Sequence, residues 1–237
     1  MSPRPEFTHI LMTRFNLATP GRESALRNRP GWLTERFDLF ERYCLPSVGA
    51  QGAARPQWII YFDIDTPQEF RDRIETLRRQ VPFEPYFTGL FPGEGWARSI
   101  NERFARDTPL VLTTRLDNDD ALASDFSTRL HAAVTEAGAA PGIYNFTNGY
   151  VLGGGALYRF SHAANPFFSC LKPWDDAPVT APSIHHLNIA RQGPVRQIGG
   201  EGAWMQVVHD GNVSNLYLIH ISEPTRLDLA SRMPSSA

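Results

Sequence analysis

Short apolar runs alternate with segments of helical periodicity over the first 140 residues. The runs are rich in β-branched and aromatic residues, whereas the segments between them repeat apolar positions every three or four residues. The predicted strands are 9–16, 57–63, 83–88 and 109–116, and the predicted helices are 32–48, 67–80, 96–106 and 123–137. Strands and helices in this order predict an α/β fold with a mostly parallel sheet, covered on both faces.

The pattern changes after residue 142. Segments 142–150 and 155–160 read as two strands around Gly153-Gly154-Gly155, which predicts a β-hairpin. This glycine triplet follows no strand-to-helix turn, so it does not indicate a nicotinamide cofactor. From there to about residue 202 the chain is rich in Pro, His, Gly and Asn, and we expect functional loops over the sheet edge.

The strand predicted at 109–116 ends abruptly in Asp117, Asn118, Asp119 and Asp120. Open α/β sheets bind ligands at the carboxyl ends of their strands. In an extended segment alternate side chains share a face, so Asp117 and Asp119 can converge on one Mg²⁺ or Mn²⁺ while Asn118 points away. Asp120 adds a third potential ligand. The alternative is an Asx-rich turn that caps the following helix.

Composition excludes several classes of protein. The 237 residues carry a formal net charge of −2, which gives no electrostatic footprint for nucleic acid. Two cysteines, Cys44 and Cys170, are too few for a disulfide framework or a thiolate metal site. We find no apolar run long enough to span a bilayer and no signal peptide, so we expect a cytoplasmic protein whose membrane contact, if any, is peripheral.

Four segments together resemble a known family. They are Thr13-Arg14-Phe15-Asn16, the strand that ends in Asp63-Ile64-Asp65, Thr114-Arg115-Leu116-Asp117-Asn118-Asp119-Asp120, and His209-Asp210-Gly211-Asn212-Val213-Ser214-Asn215. In this order they resemble the putative rhamnosyltransferase family, which is similar in plan to nucleotide-sugar glycosyltransferases of the GT-A type. The resemblance covers residues 8–215. It implies a nucleoside-diphosphate-sugar donor, a divalent Mn²⁺ or Mg²⁺, and transfer to a hydroxyl of a carbohydrate or glycolipid acceptor.

The resemblance also implies roles for individual residues. Asp117 and Asp119 occupy the metal–diphosphate position, with Asp120 as a further ligand or a helix cap. His209 is the candidate for the late histidine that completes the metal shell in many GT-A enzymes, and imidazole is a suitable ligand beside carboxylates. A histidine at a strand end or turn is the alternative.

Donor contacts are expected from side chains at or near strand ends. Arg14 and Arg115 are candidates for the diphosphate, and Asp65 for the base or ribose. Arg14 can instead form a structural ion pair, and Asp65 can cap the next helix. His185 and His186 can contact phosphate, although a place in an exposed loop explains them equally well.

Transfer to a hydroxyl also requires a base. Glu201 is the first choice because glycines flank it on both sides and permit close approach of a substrate. Asp175 and Asp176 come next, with Trp174 able to stack on a sugar ring. For all three carboxylates the alternative is a solvated loop or turn.

We predict one glycosyltransferase-like domain over residues 1–215. Residues 216–237 resemble the in-frame translation of a sequencing adapter, so we expect no function in this tail; a genuine polar tail is the alternative. Two other functions stay open, a non-catalytic nucleotide- or carbohydrate-binding module and a metal-dependent phosphohydrolase.

Overall fold

The computed structural model describes residues 6–18, 27–89 and 95–209, which form two β-sheets with flanking helices. The larger sheet has seven strands in the spatial order β10-β6-β9-β4-β1-β2-β3. Its strands are β1 (Phe7–Arg14), β2 (Gln57–Asp63), β3 (Glu84–Thr88), β4 (Leu110–Arg115), β6 (Gly142–Phe146), β9 (Ser169–Pro173) and β10 (Val195–Ile198). Six strands run in one direction and β9 runs against its neighbours β4 and β6, which confirms the predicted α/β fold with a mostly parallel sheet.

The centre of this sheet explains the apolar runs of the sequence. β1 lies between β2 and β4, and most residues of these three strands are buried. Parallel strands covered by helices on both faces need apolar residues on both faces, so their sequences read as continuous apolar runs.

The helices lie close to their predicted positions. They are α1 (Trp32–Leu39), α2 (Leu45–Gly49), α3 (Gln68–Gln80), α4 (Gly95–Arg103) and α5 (Phe126–Glu136). A π-helical turn, Phe40–Cys44, joins α1 to α2, so the predicted helix 32–48 is continuous but irregular. Pro46 does not end it, because the helix continues to Gly49; the π-helical turn directly before α2 is the irregularity next to this proline.

The second sheet has four strands in the order β5-β11-β7-β8. They are β5 (Ala121–Leu122), β7 (Asn148–Gly153), β8 (Ala156–Ser161) and β11 (Trp204–Val207). β7 and β8 form the predicted hairpin, and Gly154 and Gly155 at its tip have φ of 57° and 76°, which favour glycine.

Two expectations about residues 142–202 are wrong. The predicted strand 142–150 is two strands, β6 and β7, which belong to different sheets. The stretch up to residue 202 is also not all loop, since β9 fills the place between β4 and β6. A five-residue strand paired by non-local contacts leaves little periodicity in the sequence.

Within the described residues, no helix is long and apolar enough to cross a membrane. The expected adapter-like tail, 216–237, lies outside the described residues.

Candidate functional site

The predicted carboxylates lie where two sheets meet. β1, β2 and β4 are parallel neighbours, so the residues that follow them come to the same edge of the large sheet. β11 of the second sheet ends beside Asp120, because the Val207 N–H donates to Asp120 Oδ1 over 2.9 Å. Arg14, residues 117–120 and His209 therefore lie together here. We call this end of the sheet the carboxylate edge.

Asn118 fixes the shape of this segment and points inward. It is 4% exposed, and its Nδ2 donates to the carbonyl of Phe15 over 3.0 Å. This bond ties the end of β4 to the end of β1, so Asp117 and Asp119 on either side are held in place. Asn118 is thus structural, as its position between two outward carboxylates predicts.

Asp117 is half-buried beside arginines. Arg115 donates three hydrogen bonds to its carboxylate, the shortest being 2.8 Å from Nη2 to Oδ2. Burial alone would raise the pKa of Asp117, but Arg115, with smaller contributions from Arg14 and Arg36, holds this pKa below its ordinary value. Asp117 is therefore ionised at neutral pH.

Asp119 is 7% exposed and its Oδ2 accepts two contacts from distant parts of the chain. Arg36 of α1 approaches through Nη1 at 2.7 Å, and His209 approaches through Nε2 at 3.0 Å. The structure thus brings the predicted His209 to Asp119. Arg36 was missed from the sequence, because a helix residue 83 positions away carries no local signal of this pairing.

Asp120 faces the second sheet and is 3% exposed. Burial and the nearby Asp119 and Asp117 raise the pKa of Asp120 well above its ordinary value. The helix-cap alternative is wrong, because its Oδ1 binds the strand residue Val207 and α5 begins only at Phe126, after Asp125. Asp120 instead anchors β11 to the carboxylate segment.

A narrow cleft of about 40 Å³ opens beside Asp117. Its lining consists of Met12, Arg14, Trp96, Arg115, Asp117 and Pro182. The volume gives space for a few water molecules or one small anion. Two arginines in the lining make the cleft suitable for a phosphate group.

His186 also belongs to this edge. It begins a 3₁₀ turn, His186–Gln192, and stacks on His185 with ring centroids 4.7 Å apart. Burial lowers the pKa of His186, and His185 and Arg115 lower it further, while Asp117 acts in the opposite sense. His186 follows Pro182, which lines the cleft, by four residues.

Asp65 is exposed, and a different carboxylate occupies the end of β2. Asp63 is 3% exposed, pairs with Arg27, and accepts the N–H of Asp65 at 2.7 Å. The side chain of Asp65 does not cap α3, whose preceding residue is Pro67. The sequence analysis missed Asp63, although its place as the last residue of a buried strand was a usable signal.

Asp175 and Asp176 lie at the opposite edge of the large sheet. β9 is antiparallel to β4, and its last residue, Pro173, pairs with Leu110 at the start of β4. The seven residues from Leu110 to Asp117 span about 23 Å at a rise of ~3.3 Å per residue. The structure therefore does not bring these two carboxylates to Asp117.

Their surroundings are those of a surface turn. Asp176 pairs with Arg106 at 2.8 Å and its side chain is 99% exposed. Trp174 is buried and donates through Nε1 to Asn101 Oδ1 at 2.7 Å, so the expected stacking of Trp174 on a sugar is wrong.

Glu201 is also remote from the carboxylates. It precedes β11, whereas Val207 at the far end of β11 contacts Asp120. The four residues of β11 alone extend over about 10 Å, and the six steps from Glu201 to Val207 extend over at most about 20 Å. Glu201 is exposed and lines another cavity, together with residues of β7 and β8.

The donor atoms at the carboxylate edge fit a divalent cation only in part. Among the described residues, no three His, Cys, Asp or Glu side chains form a ready-made metal site. Mg²⁺ commonly takes one or two carboxylates and completes its shell with substrate phosphates and water. Asp117 and Asp119, whose charges both raise the pKa of the neighbouring Asp120, offer hard oxygen atoms for this mode of binding.

Comparison with known proteins identifies the fold. TarS 1–349 of S. aureus in complex with UDP-GlcNAc is 8% identical, with a TM-score of 0.52 over 88% of this chain and 60% of that one. TarS itself is 10% identical, with a TM-score of 0.51 over 86% of this chain and 37% of that one. This chain thus spans less than two thirds of either TarS structure. No sequence among the curated proteins matches it.

The family model described as "Putative rhamnosyl transferase" matches residues 8–220. This range contains every predicted site residue and, apart from Phe7 at the start of β1, both sheets. The chain belongs to this putative rhamnosyl transferase family.

Proposed function

We propose that this protein transfers a sugar from a nucleoside-diphosphate-sugar donor to an acceptor hydroxyl. The single observation that carries the proposal is the carboxylate edge, where Asp117 and Asp119 lie beside Arg14, Arg36 and Arg115. Acidic and basic groups in one place suit a diphosphate, since arginines bind phosphate oxygens directly and carboxylates bind them through a cation. The TarS complex with UDP-GlcNAc, on a similar fold, supports a donor of this class.

Each residue at the edge has a proposed task. Arg14 and Arg115 bind the diphosphate from the cleft, and His186 donates to a phosphate oxygen. Asp117 and Asp119 hold Mn²⁺ or Mg²⁺, with Asp120 and His209 next to them. Such a cation, when bound, offsets the charge that develops on the departing diphosphate.

The positions of the proposed bases favour a carboxylate at this edge over Glu201, Asp175 and Asp176. An acceptor hydroxyl must lie within hydrogen-bond reach of its base and also of the sugar that is transferred. Because the length of β11, about 10 Å, separates Glu201 from the edge, a hydroxyl bound by Glu201 does not lie within hydrogen-bond reach of both. Of the carboxylates at this edge, Asp117 is the most exposed and lines the cleft.

The sugar, acceptor and cellular role are finer proposals. Rhamnose follows from the description of the family, and a carbohydrate or glycolipid acceptor in glycan or surface-polysaccharide synthesis follows from the resemblance. We propose a cytoplasmic location with peripheral membrane contact.

The test is a thermal-shift panel of nucleoside diphosphates and nucleotide-sugars, with and without Mn²⁺. A ligand that binds only the native state at 100 times its Kd stabilises it by ~2.7 kcal/mol. For a chain of this size that corresponds to about 5–10 °C in Tm. We expect one nucleotide to give this shift with Mn²⁺, and Asp119→Ala to remove it.

Asp107→Ala is the matched control, because this aspartate is exposed and lies before β4, at the other end of the strand. Absence of any shift with wild-type protein would contradict a donor site. Release of phosphate without sugar transfer would favour a phosphohydrolase, and nucleotide binding without turnover would favour a binding module.

A further inference from the structure

A second cavity lies on the smaller sheet, away from the carboxylate edge. Its volume is about 290 Å³, near the lower end of the ~300–1,000 Å³ range of small-molecule sites. Its lining consists of Asn148, Gly149, Tyr150, Arg159, Phe160, Ser161, Gly200, Glu201 and Gly202. We call it the β7–β8 cavity. It combines aromatic rings, charged groups and neutral polar groups in one concave surface.

The pairing of β7 with β8 places four polar side chains on one face. Tyr150 is opposite Arg159, and Asn148 is opposite Ser161, two residues further along. Directly opposed residues and their second neighbours share a face of a sheet, so these four side chains project together. Within the part of the chain that the structure describes, the side chains of Tyr150, Arg159 and Ser161 show no hydrogen bond.

Glu201 completes the cavity from a loop that is already fixed in place. Arg129 donates through Nη2 to the carbonyls of Gly199 and Glu201, at 3.3 and 2.9 Å. Asn148 donates through Nδ2 to the carbonyl of Gly200 at 2.8 Å. A loop held by three hydrogen bonds loses little further freedom when a ligand binds to it, which favours affinity.

Two glycines are required by this arrangement. Gly200 has a φ of 95°, which side-chain-bearing residues rarely adopt. A Cβ on Gly202 would lie 2.3 Å from the ring of Tyr150, so only glycine lets the loop pack against this ring. The glycines beside Glu201 thus serve the contact between the loop and the aromatic wall of the cavity.

We infer that the β7–β8 cavity binds a neutral saccharide. The ring of Tyr150 offers a flat surface for the C–H face of a pyranose, and the carboxylate and guanidinium offer paired acceptors and donors for neighbouring hydroxyls. Arg159 and Glu201 have opposite charges, so a neutral ligand suits the cavity better than an anion.

The inference extends the proposed function, on which it rests for the choice of a sugar as ligand. The cavity lies at the start of β11 and the carboxylates lie at its end, so the length of this strand, about 10 Å, separates them. A saccharide unit in the cavity would therefore belong to an extended acceptor glycan rather than to the donor. This gives Glu201 a role in binding rather than in proton transfer.

The experiment measures saccharide binding without any nucleotide. Methyl α-L-rhamnopyranoside, methyl β-D-glucopyranoside and cellotetraose serve as probes in saturation-transfer NMR titrations. We expect at least one probe to bind saturably. Tyr150→Ala should weaken this binding about 3–10-fold and Glu201→Ala about tenfold.

Two controls separate this inference from the proposed function. Glu69→Ala removes an exposed glutamate of α3, and Asp119→Ala removes the carboxylate centre of the donor site; both should retain the binding of the saccharide. Glu201 is exposed, so Glu201→Ala tests the cavity even where Tyr150→Ala lowers stability. Absence of saturable binding, unchanged affinity in Glu201→Ala, or loss of binding in Asp119→Ala would overturn the inference.

Discussion

At the residue scale, three neighbouring aspartates differ because their partners differ. Asp117 forms an ion pair with Arg115, and Asp119 contacts Arg36 and His209. Asp120 accepts a hydrogen bond from the backbone N–H of Val207. An arginine next to a carboxylate favours the ionised form, whereas burial among other carboxylates opposes it. The surroundings therefore favour the ionised form of Asp117 and disfavour the ionised form of Asp120.

Asp120→Asn tests whether the ionised carboxylate of Asp120 destabilises the fold. A raised pKa means that the folded protein binds a proton more tightly than the unfolded chain, so stability falls as the pH rises from the ordinary pKa of an aspartate to the raised pKa of Asp120. We expect Asp120→Asn to raise Tm at neutral pH, by about 2–4 °C for each kcal/mol of relieved repulsion. The gain should shrink as the pH falls and wild-type Asp120 becomes protonated. Thermal unfolding across the acidic range measures both effects, and an equal gain at every pH would argue against this cause.

Arg36→Ala tests the ion pair between Arg36 and Asp119. It leaves the carboxylate of Asp119 buried beside one imidazole, and the loss of one partner of a buried pair costs about 3–5 kcal/mol. We expect a lower free energy of unfolding in denaturant titrations, partly restored by Mn²⁺. Arg29→Ala is the control, because the Arg29–Glu35 pair at the start of the same helical region is about half exposed and contributes at most ~1 kcal/mol. Equal losses in the two variants would contradict the buried pair.

At the element scale, the packing of β7 against β11 requires a glycine at position 149. Gly149 lies under the ring of Trp204 from β11, and a Cβ there would be 2.1 Å from Trp204 Cδ2. Trp204 in turn stacks on Phe167 with ring centroids 4.7 Å apart and donates through Nε1 to the carbonyl of Phe146. A ring fixed on both sides has no room to move, so glycine is required here for packing.

Gly149→Ala is therefore expected to destabilise the second sheet. Inserting a methyl group into a filled space typically costs about 1–3 kcal/mol. Gly199→Ala is the matched control, since a Cβ on Gly199 would meet no atom within 4 Å. Chemical denaturation of both variants measures the difference. A Gly149→Ala protein as stable as Gly199→Ala would show that Trp204 can shift at little cost.

At the scale of the whole molecule, the two cysteines report on unfolding. Cys44 lies in the π-helical turn and Cys170 in β9, and both are free and fully buried. Burial raises the pKa of Cys170 to about 12 and that of Cys44 well above its ordinary value, so neither thiol ionises at neutral pH. Because the thiolate is the reactive form, both should resist thiol reagents in the native protein.

Thiol labelling in rising denaturant then tests the predicted single domain. If one cooperative transition exposes the whole fold, Cys44 and Cys170 should become reactive together, at the midpoint seen by circular dichroism. Mass spectrometry of the labelled peptides measures each site separately. Labelling of one cysteine well before the other would indicate two units that unfold independently.

The sequence by itself determined most of the elements and one part of the site. Continuous apolar runs predicted β1, β2 and β4, and apolar positions at helical spacing predicted α3 and α5. Strands and helices of this kind can be predicted because they depend on local periodicity. The position of Asp117 and Asp119 at the carboxyl end of a buried strand could be predicted, because it depends only on where the apolar run ends; their role in binding stays a prediction. The family resemblance added His209, which the structure brings to Asp119.

Only the tertiary structure decided which distant residues meet. The antiparallel direction of β9 sends Asp175 to the opposite edge, and the length of β11 separates Glu201 from the carboxylates. The approach of Arg36 to Asp119 depends on how α1 packs across the sheet. Strand direction and helix packing follow from contacts between residues far apart in sequence, so no local pattern encodes them.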